Sequence, residues 1–207
     1  MANAVDTQPS FETPRLQLRP LILRDAKDLH LAFSDPETTR YLDFATCRDL
    51  HDTMKRVGMA TIVMPQWHAT WAIVLRGSAE VIGVVNYHHR ESWHRRLEIG
   101  YVLARPYWRR GLMREAMQPF LRYCFEDLAM HRLEATIVPD NSAGIRFAES
   151  LGFQRESGVL RDRLLVGEEY RDIVMYGLLD AAWHAASAVR PDRNWPTPEA
   201  VAIEAAP

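Results

Sequence analysis

Cysteine is scarce in this chain. Cys47 and Cys124 are the only two among 207 residues, far apart and without metal-ligand spacing, so the sequence suggests neither a disulfide framework nor a zinc site. No window approaches the run of about 18 apolar residues that a membrane span needs. The opening "MANAVDTQPSFETP" lacks the basic stretch followed by an apolar stretch that marks a secretory leader. Neither sign of charge prevails: 25 Lys and Arg against 27 Asp and Glu leave a net charge of -2, and the arginines are scattered. That balance argues against a nucleic-acid surface. Together these absences predict a protein of the reducing cytosol that binds neither membrane nor nucleic acid. What is present is an ordinary globular mixture, 47% hydrophobic and 25% charged, enough to bury a sizeable core.

Hydrophobic periodicity divides the chain. "RLQLRPL" alternates and is closed by Pro20, which predicts a first strand, and "RDAKDLHLAF" places Ala26, Leu29 and Phe33 at helical spacing. Ser34-Asp35-Pro36 offers a helix start, and Thr46 with Asp49 resembles a capping box ahead of "LHDTMKRVGMATIVM". "TWAIVLR", "VIGVVNYHH" and "RLEIGYVL", rich in β-branched and aromatic residues, predict three antiparallel strands. From Gly111 to Met130 apolar residues recur at three and four, which predicts one long amphipathic helix bent at Pro119, with that proline on its polar side. A strand at "HRLEATIVP", a helix at "NSAGIRFAESLGF" ending in Gly152, and strands at "FQRESGVL" and "EEYRDIVMYGLL" complete the order. From residue 181 the alanine- and proline-rich text predicts a short helix at most, followed by a loose tail.

The stretch "YWRRGLMREAM" sets a glycine between an arginine pair and the start of an apolar-periodic run. Backbone N–H groups at such a turn into a helix form a partially positive cradle for an anion, and glycine removes the Cβ that would block close approach. The bland alternative is a loop with two solvated arginines.

The element order, together with "FETPRLQLRPLILRDAKDLHLAFSDPETTRYL", "LEIGYVLARPYWRRGLMREAM" and "VPDNSAGIRFAESLGF", resembles the Gcn5-related N-acetyltransferases, within them the RimJ/RimL-like branch, over residues 11 to 180. The resemblance implies a mixed α/β fold: a mostly antiparallel sheet of about seven strands, splayed where acyl-CoA binds and flanked by helices. It implies direct transfer of an acetyl group from acetyl-CoA to a primary amine, without a metal. The preferred acceptor is a protein or peptide N-terminal amine. Small-molecule amines and a non-catalytic acyl-CoA sensor are the alternatives, and a homodimer through the closing strands is a further expectation.

The same resemblance assigns residues. Backbone groups of Val102 and Leu103 pair with the pantetheine arm, the turn at Gly111 with Leu112 and Met113 cradles the pyrophosphate, and Arg109, Arg110, Arg114 and Arg146 add charge. Asn141 contacts the pantetheine arm while capping its helix. Trp108 and Met113 depart from the usual loop, and Gly144 and Ala148 stand where relatives carry the serine or tyrosine that protonates the departing thiolate. Glu98 matches the position of a glutamate that removes the amine proton directly or through water; the alternative is a carboxylate paired with Arg95 or Arg96, and Glu134 is the second candidate base. His88 and His89, adjacent on a strand, are expected to point to opposite faces and so share no ion. Trp67, Trp71 and Trp93 are read as core or rim.

Overall fold

A computed structural model describes residues 8–62 and 64–189. The chain runs through β1 (Phe11–Glu12), β2 (Leu16–Pro20), α1 (Ala26–Phe33), α2 (Pro36–Thr39), α3 (Leu50–Ala60), β3 (Ala69–Leu75), β4 (Val81–Glu91) and β5 (Arg96–Leu103). It continues with α4 (Leu112–Arg122), β6 (Arg132–Ile137), α5 (Ser142–Leu151), β7 (Gln154–Arg155), β8 (Leu160–Val166), β9 (Glu169–Leu179) and α6 (Asp180–Val189). The sheet has nine strands rather than seven, because β1 is a two-residue pair with no periodicity to announce it, and the single strand expected at "FQRESGVL" is corrected to two, β7 and β8. Its order is β1-β2-β3-β4-β5-β6-β9-β7, with β8 paired to β9. Of the tail, only α6 lies within the described residues. No described helix is long and apolar enough to cross a membrane.

Period-2 alternation distributes the central strands between two cores. Trp71 and Ile73 of β3 join Leu97 and Ile99 of β5 beneath α4, while Ala72 and Val74 join Val84 and Val102 beneath α1 and α3. Trp71 is fully buried amid Phe11, Tyr87, Phe120 and Tyr123. Trp67 and Trp93 are exposed, so the core reading holds for Trp71 alone.

Three local expectations are corrected. The cap of α3 is Asp49, whose side chain accepts from the Asp52 N–H at 2.8 Å, and not Thr46. Pro119 is buried, since it lies seven residues, just under two turns, beyond buried Leu112 and so on the same stripe. The expected single helix ends at Arg122 and passes into a π turn over Tyr123–Asp127, whose wider winding turns Tyr123, Cys124 and Phe125 all inward.

The lead into α1 is held by a buried ion pair. Arg19 Nη1 and Nη2 each donate to Asp25 at 2.7 Å, and the Ile22 N–H donates to the same carboxylate at 3.0 Å. Asp25 is 3% exposed. Asp25→Ala would strand a partly buried guanidinium, so it should cost about 3 kcal/mol of unfolding free energy. A urea-denaturation loss below about 1 kcal/mol would show the pair to be a solvated one.

Candidate functional site

The site is made by a gap in the sheet. β5 and β6 run parallel but pair only at Arg96–Arg132, Leu97–Leu133 and Glu98–Glu134. Beyond Glu98, β5 stays with β4 while β6 turns to β9. The gap widens into a cleft of about 1230 Å³ whose walls include Glu98 and Tyr101 of β5, Thr136 of β6, Asn141 before α5, Arg56 of α3 and Arg163 of β8.

Glu98 is thus the last paired residue before the strands part, its side chain 18% exposed. Arg95 and Arg96 are engaged elsewhere. Arg95 Nε donates to the Ala129 carbonyl at 2.8 Å, and Arg96 reaches Glu91 at 2.7 Å and Glu134 at 3.5 Å. The expected alternative pairing of Glu98 with an arginine is therefore corrected: its partners are His88, His89 and Thr136. Burial works to raise the Glu98 pKa, and these partners outweigh it and hold the carboxyl down to about 2. Glu134, opposite, is neutralised by Arg132 at 2.8 Å and by Arg96, which weakens its claim as a base.

The two histidines reach one carboxylate because β4 carries a bulge. The register passes from His88–Glu98 to Glu91–Arg96, one residue more on β4 than on β5, and His89 takes a left-handed φ of 50°. The expectation of opposite faces fails for that reason: His89 is turned back, and the two rings lie 4.8 Å apart, edge to face. On the same face, the Asn86 amide lies across Gly100 and its Oδ1 meets His88 Nδ1 at 3.3 Å. A Cβ on Gly100 would stand 2.5 Å from that Oδ1, so only glycine leaves the amide its place.

The backbone of β5 corrects one cofactor assignment. An added Cβ on Gly83 would sit 2.2 Å from the Val102 carbonyl, and the Ala104 N–H donates to Ile82, so Val102 and Ala104 turn their polar groups toward β4. By alternation those facing the gap belong to Tyr101 and Leu103. The Leu103 carbonyl already accepts from the Trp108 indole at 2.6 Å, which gives this departure from the usual loop a structural role.

Gly111 caps α4 in the left-handed region, φ 74°, and nothing lies closer to an added Cβ than Arg15 Nη2 at 3.6 Å. Leu112 is buried and Met113 packs against the same core. The loop is pinned by residues that no local pattern connects. Arg15 donates to Glu115 at 2.6 Å and to the Arg110 carbonyl at 3.0 Å, and Thr13 donates to Glu115 at 2.6 Å. Arg109 and Arg110 are exposed, the latter over the Tyr107 ring, whereas Arg114 spends a donor on the Ser150 carbonyl at 3.2 Å. Arg146 is exposed on α5. Among the described residues the cleft lining stops on β5 at Val102 and includes none of Arg109–Arg114, so the Gly111 turn lies past the end of β5. Asn141 caps α5, accepting from the Gly144 N–H at 2.9 Å, and fills the space a Gly144 side chain would need. Cys47 contributes to the cleft wall; Cys124 is fully buried, which pushes its thiol well above the ordinary range.

Residues 15–154 match the family model described as "Acetyltransferase (GNAT) domain". The N-acetyltransferase p20 of Bacillus licheniformis is 34% identical over 168 residues, 81% of this chain and 94% of its own. The [ribosomal protein uS5]-alanine N-acetyltransferase of Escherichia coli (strain K12) is 33% identical over 106 residues, 50% of this chain and 54% of its own. An acetyltransferase crystal structure from T. thermophilus superposes with a TM-score of 0.79 at 29% identity, covering 91% of this chain and 98% of that one.

Proposed function

The chain belongs to the GNAT acetyltransferase family and is an N-acetyltransferase that uses acetyl-CoA, and on that premise we propose that its acceptor is the α-amine of a protein or peptide N-terminus, acetylated directly in a ternary complex. The cleft carries this reading. Its volume of about 1230 Å³ must also receive the pantetheine arm, so the charge of its walls rather than its size bears on the acceptor. Its charges balance, Arg48, Lys55, Arg56, Arg96 and Arg163 against Asp43, Asp52, Glu91, Glu98 and Glu134. A polycationic amine calls for an excess of acid there; a peptide main chain does not. The uS5-alanine enzyme gives independent support, since alanine has no amine but its α-amine.

In this reading the pantetheine arm enters the gap as an added strand along Tyr101 and Leu103, and the pyrophosphate rests on the turn at Gly111. The thioester then lies near the apex, beside Glu98. An α-ammonium has a pKa of about 7.7–8.0, so freeing it near pH 7 costs only roughly 1 kcal/mol. Complete transfer of its proton to a carboxyl held near 2 runs several kcal/mol uphill. Glu98 therefore serves as a fixed anion that holds the amine and stabilises the positive charge growing on nitrogen as it attacks. The proton leaves to water at the open side of the cleft.

Two measurements test the reading together. Acetyl-CoA should raise Tm where ATP at the same concentration does not. Thiol release should follow addition of peptides with free N-termini, with mass spectrometry placing the acetyl group on the α-nitrogen. Turnover of spermidine or free amino acids with none on any peptide would overturn the assignment.

A further inference from the structure

The bulge in β4 gathers more than the transfer reaction needs. His88 Nε2 lies 3.7 Å and His89 Nδ1 3.2 Å from one and the same oxygen, Oε2 of Glu98, and the three ligand atoms all fall within 4.8 Å of one another. A tetrahedral Zn²⁺, with bonds of about 2.0–2.1 Å to nitrogen and oxygen, holds its ligand atoms about 3.3–3.5 Å apart. Shifts on the order of 1 Å would let the three share an ion. We propose that His88, His89 and Glu98 form a binding site for a divalent transition-metal ion of the Zn²⁺ class, and that its occupancy shuts off acetyl transfer by capturing the carboxylate at the apex of the cleft.

The surroundings of His88 argue for an ion more strongly than the three ligands alone. Asn86 Oδ1 can only accept, so its contact at 3.3 Å engages the His88 Nδ1–H and leaves Nε2 directed at the Glu98 carboxylate. At 3.7 Å that approach is too long for a hydrogen bond. Nε2 and Oε2 stand at a separation close to that of two ligands of one ion. Metal-bound histidines characteristically donate their second ring N–H to an oxygen in this way, which fixes ring and tautomer. Gly100 makes the arrangement possible by leaving room for the Asn86 amide. Imidazole and carboxylate together suit zinc, copper, nickel and cobalt, not calcium or magnesium. Access is open as well, for His89 is 77% exposed and all three residues line the cleft. The site stands on this geometry alone; only its effect on turnover rests on the role given to Glu98 above.

Chelator-treated full-length protein should take up one equivalent of Zn²⁺ in calorimetry. Co²⁺ in its place should develop the strong visible bands of a four- or five-coordinate ion. Asn86→Ala, which removes no ligand, should weaken Zn²⁺ by roughly 10- to 100-fold, and His89→Ala by at least as much. Zn²⁺ should inhibit acetyl transfer reversibly, and His89→Ala should raise the inhibiting concentration by at least about 10-fold relative to that variant's own zinc-free rate. A Co²⁺ spectrum that stays that of the free aqua ion, or equal Zn²⁺ affinity in wild type and His89→Ala, overturns the site. Binding at the histidines with turnover undiminished upholds the site and overturns the role of Glu98.

Discussion

Glu98→Gln should lower kcat/KM by roughly 10²- to 10³-fold while leaving the acetyl-CoA dissociation constant within a few-fold of wild type. The substitution keeps the shape of the side chain and removes only its charge. That charge sits where β5 and β6 part, held by His88, His89 and Thr136, and the backbone groups proposed to meet the cofactor lie further along at Tyr101 and Leu103. The pH profile separates two roles. If the fixed charge is what matters, wild type and variant both gain rate as the acceptor titrates through about 7.7–8.0, and the gap between them persists. A variant that catches up at high pH would instead make Glu98 the proton acceptor, because the amine then arrives already deprotonated. Activity within a few-fold of wild type throughout would remove Glu98 from the reaction.

Gly111→Glu should abolish the rise in Tm that acetyl-CoA produces and weaken cofactor binding by roughly 100-fold or more, the loss of one or two charge-assisted contacts. Gly111 holds φ 74° at the entrance of α4, where a side chain costs about 1–2 kcal/mol of backbone strain and glutamate would add a negative charge against the pyrophosphate proposed to rest there. Gly111→Ala separates the two effects. Its Cβ meets nothing nearer than Arg15 Nη2 at 3.6 Å, so it should carry the strain and keep most of the binding. Wild-type affinity in Gly111→Glu would move the phosphate site away from this turn.

Local pattern in the sequence revealed most of the fold. Alternation in "TWAIVLR", "VIGVVNYHH" and "RLEIGYVL" marks β3, β4 and β5, and the stripe from Leu112 onward marks α4, because each signal lives within one element. What depends on registration between elements stayed hidden. Which of Val102 and Leu103 turns its backbone to the gap depends on the pairing with β4, and nothing in "YVL" encodes it. His88 and His89 share a carboxylate only because β4 is one residue longer than β5 between two pairings, and a strand read alone cannot show an excess over its neighbour. Arg15 and Glu115 lie 100 positions apart, so the pin that fixes the Gly111 loop had no local signature. The burial of Pro119 was misread although its place just under two turns from Leu112 follows from helix geometry alone.

The gap in the sheet has a mechanical side. Between β1–β5 and β6–β9 the sheet is joined at only three residue pairs, the last of them Glu98–Glu134. Any flexing of one half against the other would turn about that end, with the larger displacement toward Leu103. In the proposed reading the cofactor's long arm would lie along the part of the strand free of β6, and the Glu98 carboxylate at its joined end. Room to admit a bulky cofactor and a steady position for the reactive group, which compete in most clefts, are here set at opposite ends of one strand.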